Sequence, residues 1–233
     1  MNKKEIRFLE VAEVRAVQDD QGSWIEGYPI VFNQETVIGG YCRETIEPEA
    51  VEDSLLRDVA LMVGHDFGMI PLAHSRRNNG NGTMTLTRDE HGVKMRALLD
   101  TENNPKAQEA YSAIKRGDIS GMSFAFIVGE ERWEDLDTEM PLRIITKLAA
   151  IFEVSLVAFP AYSGTSVQAA SEGEALESVK ASLESARKQA EEDRAAAQEA
   201  EEARKAEEAR LERRKAALER LEKLTQEVKQ YEV

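Results

Sequence analysis

The composition of this chain changes abruptly near residue 170. Residues 171–233 contain no Pro, Trp or Phe, and Gly173 is their one Gly. Ala, Glu, Arg, Lys and Leu fill this segment, and most of these are strong helix formers. Because a segment without Trp or Phe has few large side chains for a core, we expect residues 1–170 to form the folded domain and residues 171–233 to form a helical tail.

A heptad register that begins at Leu176 continues through the tail without interruption. Its seam is apolar at both ends, but its middle is mostly Ala and charged residues. The leucines at position a are Leu176, Leu183, Leu211 and Leu218. Two interpretations stay open. The tail is either a weak coiled coil or solvated spacer, held by ion pairs such as Glu201–Lys205, or a handle for assembly and docking.

Charge and composition exclude several classes of function. The formal net charge is −14, whereas affinity for nucleic acid comes from Lys and Arg that neutralise phosphates. No stretch approaches the ~18 apolar residues that span a bilayer, and the first residues lack a secretory signal. Cys42 is the single cysteine, and no Cys/His cluster could hold zinc. We expect a soluble protein of a reducing compartment that binds neither nucleic acid nor membrane and uses no metal or cofactor.

Residues 1–170 show the patterns of a mixed fold in which strands dominate. The predicted elements are an opening hairpin (6–17 and 24–32), a short helix (48–57), an apolar strand (59–63), a second hairpin (83–87 and 93–99), a helix (105–116) and two buried strands (123–128 and 151–159). The predicted fold class is therefore α+β, with a strand-dominated core, short flanking helices and a long C-terminal helix.

Of the three histidines, His65 has the most informative position. His91 lies in a predicted turn and His74 at the edge of a polar loop, so both favour ordinary surface roles. His65 directly follows the apolar run 59–64. A ring at the mouth of a buried strand is partly desolvated and held rigidly, which suits a general base. A structural role for this histidine stays open.

Ser123 is unusual because its hydroxyl lies in a strand of Met and Phe residues. The residues two positions away on the same face are Gly121 and Ala125, and both are small. Small neighbours leave open space around the Oγ atom and allow another backbone to approach. A nucleophile needs this space, because a substrate carbonyl must come within ~3–3.5 Å. A core serine bonded to a backbone carbonyl is the alternative.

Glu153 places a carboxylate in a continuous apolar strand, which is costly unless the group has a partner or faces water at an edge. Asp66 is a rival carboxylate, but next to His65 on an extended segment its side chain would point the other way. Together His65, Ser123 and Glu153 support acyl transfer, in which the serine attacks, the histidine takes its proton and the acid orients the imidazole. The chain lacks the G-x-S-x-G, Walker, H-E-x-x-H and G-x-G-x-x-G motifs.

Three segments carry a resemblance to a known family. They are LMVGHD (61–66), GDISGMSFAF (117–126) and FEVSLVAFPA (152–161). In sequence, order and spacing they resemble the prohead maturation proteases of tailed phages, which are related in fold to the herpesvirus assemblins. The resemblance spans roughly residues 5–170. It implies a compact, barrel-like serine protease flanked by helices.

The resemblance also implies roles for individual residues. His65 would be the general base and Ser123 the nucleophile. The herpesvirus relatives look like Ser-His-His, whereas here the matching strand offers Glu153 as the third member, with Asp66 as the alternative. Ala125 stands where many relatives carry Gly. A lesser candidate is Arg143, expected in a polar loop, as support for the oxyanion.

The family's task implies the partners of the chain. Its members cleave scaffold proteins or the leader segments of capsid proteins, and themselves, inside the prohead in the host cytoplasm. The expected substrates are therefore capsid and scaffold proteins, with self-association or docking through the C-terminal helix. Two alternatives stay open: a non-catalytic assembly factor with a protease-like domain, and an unrelated hydrolase of small esters with a closed pocket.

Overall fold

The computed structural model describes residues 4–9, 14–76, 82–158 and 169–230. Within these residues eleven strands form two sheets. The strands are β1 (Lys4–Leu9), β2 (Arg15–Asp19), β3 (Gly22–Val31), β4 (Thr36–Ile38), β5 (Cys42–Ile46), β6 (Ala60–Val63), β7 (Ala73–His74), β8 (Met84–Arg88), β9 (Gly92–Leu99), β10 (Gly121–Glu134) and β11 (Leu142–Val157). The helices are α1 (Pro105–Arg116) and α2 (Ala169–Gln230), with two 3₁₀ turns at Pro48–Ala50 and Asp53–Leu56. The predicted class, α+β and strand-rich with a long C-terminal helix, is confirmed.

Local sequence signals account for several elements. The predicted helix at 105–116 is α1, which begins with Pro105 because proline's fixed φ suits the first helical turn. The Asn104 side chain accepts the free N–H groups of Lys106 and Ala107, and Gly117 ends the helix in the left-handed conformation. The second predicted hairpin is also confirmed, as β8 and β9.

One predicted element is wrong, and a second is right only in part. The helix expected over 48–57 is two 3₁₀ turns, because the chain is extended at Val51 and Glu52 between them. The extended segment buries the Val51 side chain in the core. The opening hairpin is β2 with β3, whereas β1 leaves this pair and joins β10 in the other sheet. Residues 10–13, within the predicted first strand, lie outside the described residues.

The larger sheet has the order β1-β10-β11-β5-β4, and the smaller one β2-β3-β9-β8. Strand β11 is 16 residues long and has two successive partners on one edge. Its first part pairs with β5 and its last part with β6, both in parallel, and β7 pairs with the outer edge of β6. Side chains from both sheets and α1 form one hydrophobic core, which includes Leu61, Met95, Ile114 and Phe124.

A β-bulge in β11 changes which residues face this core. Ala125 and Phe126 of β10 pair with Glu153 and Ile151, so Phe152 is the extra residue of the bulge. Ile151 packs in the core before the bulge, and Val154 does so after it. Because side chains alternate along a strand, Glu153 is turned to the opposite face of the sheet.

The helix α2 contains 62 residues, and the long predicted helix is confirmed. The chain divides into two compact units, Met1–Leu183 and Glu184–Val233. In the first unit, Val179 and Leu183 of α2 are buried, and Ser182 donates a hydrogen bond to Glu131. The predicted boundary at residue 170, between a protease domain and a tail, and the predicted coiled coil both stay predictions.

The described part of the second unit is the continuation of α2. Leu211, Leu218 and Leu221 are exposed apolar side chains on this helix. The expected pair between Glu201 and Lys205 is present at 3.4 Å. Within the described ranges, no helix is long and apolar enough to cross a membrane.

Candidate active site

Two of the predicted residues, Ser123 and Glu153, contact the imidazole of the third, His65. The Nε2 atom of His65 lies 2.7 Å from the Oγ atom of Ser123, and its Nδ1 atom lies 2.6 Å from Oε1 of Glu153. These residues are 58 and 88 positions apart in the chain. The fold therefore brings together the serine, the histidine and the acid that stand out in the sequence.

The pairing of β10 with β11 places the serine and the acid on one face. On β10, Phe124 packs in the hydrophobic core, so Ser123 and Ala125 lie on the opposite face of the sheet. Ser123 lies directly beside Ser155, and Ala125 directly beside Glu153. Ala125 presents only a methyl group to the carboxylate.

Strand β6 carries the histidine to the same place. The N–H of Gly64 donates to the carbonyl of Leu156 at 3.0 Å, which continues the pairing of β6 with β11. Gly64 and His65 then adopt φ values of 61° and 58°, and this left-handed turn reverses the chain so that the imidazole reaches Ser123. The extended geometry expected at His65 is therefore wrong.

The rival carboxylate, Asp66, has a different partner. Its Oδ1 atom accepts the N–H of Gly68 at 2.9 Å within the turn that follows His65. The imidazole Nδ1 instead faces Glu153, which is fully buried. The geometry thus favours Glu153 over Asp66 as the partner of the imidazole.

Ser155 also belongs to this cluster, and the sequence reasoning missed it. Its Oγ donates to Oε2 of Glu153 at 2.5 Å and accepts the backbone N–H of His65 at 3.1 Å. The available signal was its position two residues after Glu153, on the same face of the strand. Without knowledge that β6 pairs with β11, a serine at this position is indistinguishable from an ordinary serine in a strand.

One tautomer of the imidazole satisfies all of these hydrogen bonds. The hydroxyl of Ser155 accepts from His65 N–H, so its one proton points to Glu153. In this tautomer the Glu153 carboxylate accepts the Ser155 hydroxyl and the Nδ1–H of His65, and Nε2 keeps its lone pair. Nε2 is then the acceptor for the Ser123 hydroxyl. The buried charge of Glu153 is offset by these two donors.

The hydroxyl of Ser123, the predicted nucleophile, is shielded from solvent. Ser123 is 0% exposed, and the side chain of His65 is 10% exposed. The open space expected around Oγ is therefore not accessible to water in this structure. A peptide can contact Oγ only after the groups that cover it have moved.

A shallow groove lies on the same face of the sheet as the cluster. Its volume is about 590 Å³. Leu61 points into the core, so its neighbours on β6 point to the side that holds Glu153 and Ser155. The groove is lined by Ala60, Met62, Phe67, Met69, Pro71, His74 and Arg76. Most of these side chains are apolar, which suits an apolar group of a peptide.

The other two histidines have surface partners. His74 Nδ1 accepts the N–H of Arg76 at 3.0 Å, and its Nε2 lies 3.5 Å from Asp58. Burial and the charge of Arg76 lower the pKa of His74, and Asp58 opposes them. His91 lies in the hairpin turn, where its ring contacts Tyr28 edge to face.

Arg143 lies in strand β11, and its expected place in a loop is wrong. It is buried, and all three guanidinium nitrogens donate to carboxylates of Glu5, Glu44 and Glu131. Burial alone lowers the pKa of Arg143, but the hydrogen bond to Glu5 and the charges of Glu44, Glu5 and Glu131 raise it well above its ordinary value. The guanidinium is committed to this ion cluster.

Comparison with known proteins identifies the family of this chain. The model of the caudovirus prohead serine protease family matches residues 10–180, which is more than half of the chain. The chain belongs to this family. It is 26% identical over 171 residues to the prohead protease of Enterobacteria phage HK97, across 72% of this chain and 69% of that protein. The structure of the bacteriophage T4 capsid assembly protease, gp21, gives a TM-score of 0.39 with 14% identity, over 66% of this chain and 98% of that one.

Family membership confirms the resemblance carried by the three segments of the sequence. This prohead protease is a serine protease that acts in capsid maturation, on capsid or scaffold proteins, within the assembling prohead.

Proposed function

We propose that this prohead protease cleaves scaffold proteins and the leader segments of capsid proteins, and also itself, with Ser123 as the nucleophile. His65 is the general base and Glu153 orients the imidazole. The observation that supports this most directly is the bridging imidazole, 2.7 Å from the hydroxyl and 2.6 Å from the carboxylate. A serine, a histidine and an acid linked in this order form a recurring arrangement of acyl-transfer sites.

Each group has a defined step. As Oγ of Ser123 attacks the peptide carbonyl, Nε2 of His65 takes its proton, and the carboxylate of Glu153 stabilises the imidazolium. The imidazolium then gives the proton to the leaving amine, and the peptide carbonyl stays bonded to Oγ as an ester. A water molecule, deprotonated by the same Nε2, hydrolyses the ester and restores the serine.

The groove beside the cluster supports a peptide substrate rather than a small ester. It lies on the face of the sheet that holds Glu153 and Ser155, and it is shallow rather than enclosed. Met62, Phe67 and Met69 contribute to its apolar lining. We expect an extended peptide with an apolar side chain near the bond that is cleaved.

The test is processing of the phage's own scaffold and capsid proteins by co-expressed protease. The Ser123→Ala variant removes the nucleophile and should lower processing by about 10⁶-fold, below detection. Ser54→Ala is the matched control, because Ser54 is exposed and contacts Glu52. The control should process both substrates, and a fluorophosphonate probe should label it but not the Ser123 variant.

Mass spectrometry of the products separates the parts of the proposal. New N-termini in scaffold or capsid protein identify the substrates, and a shortened protease chain identifies self-cleavage. Unchanged processing by Ser123→Ala would rule out the assignment of the nucleophile. An intact wild-type chain after complete processing of the other substrates would rule out self-cleavage alone.

The C-terminal helix is proposed to direct the protease into the prohead by pairing with a helical scaffold segment. Leu211, Leu218 and Leu221 support this, because they are exposed and occupy heptad positions. Replacing all three by Ala should reduce incorporation into proheads without changing cleavage of a free peptide. Normal incorporation of this variant would contradict the proposal.

A further inference from the structure

We infer that Ser155 is a positioning residue of this site, and the inference rests on the function proposed above. Its hydroxyl holds the Glu153 carboxylate with one hydrogen bond and the His65 backbone with another. Ser155 does not touch the Nε2 or Oγ atoms in these bonds. It acts on the reaction through the two residues that it holds.

The location of Ser155 makes this double contact possible. Ser155 pairs with Ser123 on β10 and with Met62 on β6, so it lies in the middle of the three strands that build the site. It is fully buried. Its two bonds close a ring that runs from the imidazole to Glu153, on to Ser155 and back to the backbone of His65.

The bond to Glu153 fixes the plane of the carboxylate. The terminal torsion of a glutamate side chain is broad, so contact with one oxygen leaves the carboxylate free to swing. The imidazole of His65 contacts Oε1, and Ser155 contacts Oε2. With both oxygens held, Oε1 stays in line with Nδ1–H.

The bond to the backbone fixes the direction of the imidazole. His65 has a φ of 58°, a region that residues other than glycine rarely adopt. The Oγ of Ser155 accepts the N–H of the peptide that leads into this turn, at 3.1 Å. Without the acceptor, the left-handed backbone loses a contact that specifies it, and the ring moves relative to Ser123.

The test compares Ser155→Thr with Ser155→Val. The two new side chains are both branched at Cβ and close in size, so their packing costs at this buried position are similar. Only the Thr variant keeps a hydroxyl that can donate to Glu153 and accept from His65. The kcat of the Val variant should be about 10²-fold below that of the Thr variant, with KM little changed.

A spectroscopic measurement separates positioning from general stability. The Nδ1–H proton of His65 should give a downfield NMR signal in the wild type and in Ser155→Thr. In Ser155→Val this signal should move upfield or disappear through exchange. Equal kcat and the same signal in both variants would overturn the inference.

Ser155→Ala covers the case in which the added volume prevents folding. This variant is smaller than the wild type and lacks the hydroxyl, so it should fold and show the same loss of kcat and of the proton signal. Wild-type kcat in Ser155→Ala would also overturn the inference. Failure of the underlying function looks different, because processing would then persist in Ser123→Ala.

Discussion

Arg143 and Glu5 form a buried bidentate ion pair, with Nη1–Oε2 and Nη2–Oε1 distances of 2.8 and 3.0 Å. The pair joins the first strand of the large sheet to β11 across β10. The same guanidinium also holds Glu44 and Glu131. One cation therefore compensates several carboxylates in the interior.

Removal of this cation should strongly destabilise the fold. Arg143→Ala leaves buried carboxylates without their partner, and we expect a loss of about 3–5 kcal/mol in the free energy of unfolding. Urea denaturation measures the loss. Lys147→Ala on the exposed side of the same strand is the control and should change stability by less than about 0.5 kcal/mol. Equal stability of the two variants would contradict a structural role for the cluster.

The charge of Glu153 should matter far more than that of Asp66. Glu153→Gln keeps the shape but removes the charge that stabilises the imidazolium, so kcat should fall by about 10⁴-fold. Asp66→Asn should stay close to wild type, since Asp66 accepts a bond from Gly68 and not from the imidazole. Steady-state cleavage of a fluorogenic peptide compares them. The reverse order of effects would assign the third role to Asp66.

Gly64 and Gly40 offer a matched pair for the turn before His65. Both have positive φ, and an added Cβ would meet no atom within 4 Å at either position. Alanine at either position should therefore cost a similar ~1–2 kcal/mol of backbone energy. Only Gly64→Ala should also lower kcat, because a change in the strained backbone at residue 64 would move the adjacent imidazole of His65. Thermal unfolding and peptide cleavage together test this, and a similar fall in kcat for both would reject the role of the turn.

The first turns of α2 should stabilise the protease unit. Leu183 is 7% exposed and Leu218 is 54% exposed, so the same substitution tests two environments. Leu183→Ala should cost about 2–5 kcal/mol, while Leu218→Ala should cost less than about 0.5 kcal/mol in a monomer. Denaturation at two protein concentrations measures both. A concentration-dependent loss in Leu218→Ala would instead reveal self-association of the helix.

Asp89 should make part of the stability depend on pH. The hydrogen bond from Tyr28 lowers the pKa of Asp89 below its ordinary 3.8, burial opposes this, and bonds from the N–H groups of Gly92 and His91 add to the lowering. This contribution is complete above the unfolded pKa and is lost as the pH falls through the lowered one. Tyr28→Phe should therefore flatten the loss of stability below pH ~4. The control is Tyr111→Phe, because the Tyr111 hydroxyl bonds to the uncharged Gln18, and this variant should keep the wild-type dependence on pH. The same slope of stability against pH in both variants would contradict the role of Asp89.

The three proposed catalytic residues are easier to find in the sequence than the residue that holds two of them in place. His65, Ser123 and Glu153 each place a polar group in or beside an apolar strand, and that contrast is visible without a structure. Ser155 also lies in an apolar strand, between Val154 and Leu156, but its role becomes visible only with the bulge at Phe152 and the pairing of β11 with β6. Pairing between distant segments cannot be read from local periodicity.

The buried position of Arg143 also could not be predicted from the local sequence. A charged residue in a polar segment is expected at the surface, because charged side chains are rarely buried unless they are paired. Here its partners Glu5 and Glu44 are 138 and 99 residues away. The strand order β1-β10-β11-β5 collects them, and no short window of the sequence contains that order.

The shielding of Ser123 has a consequence for timing. If catalysis requires a rarely populated open conformation, the observed rate is the intrinsic rate multiplied by the open fraction. The activity of the protease is then kept low by that small fraction rather than by a missing group. Any contact that stabilises the open form would switch on cleavage without altering the proposed chemistry of His65, Ser123 and Glu153.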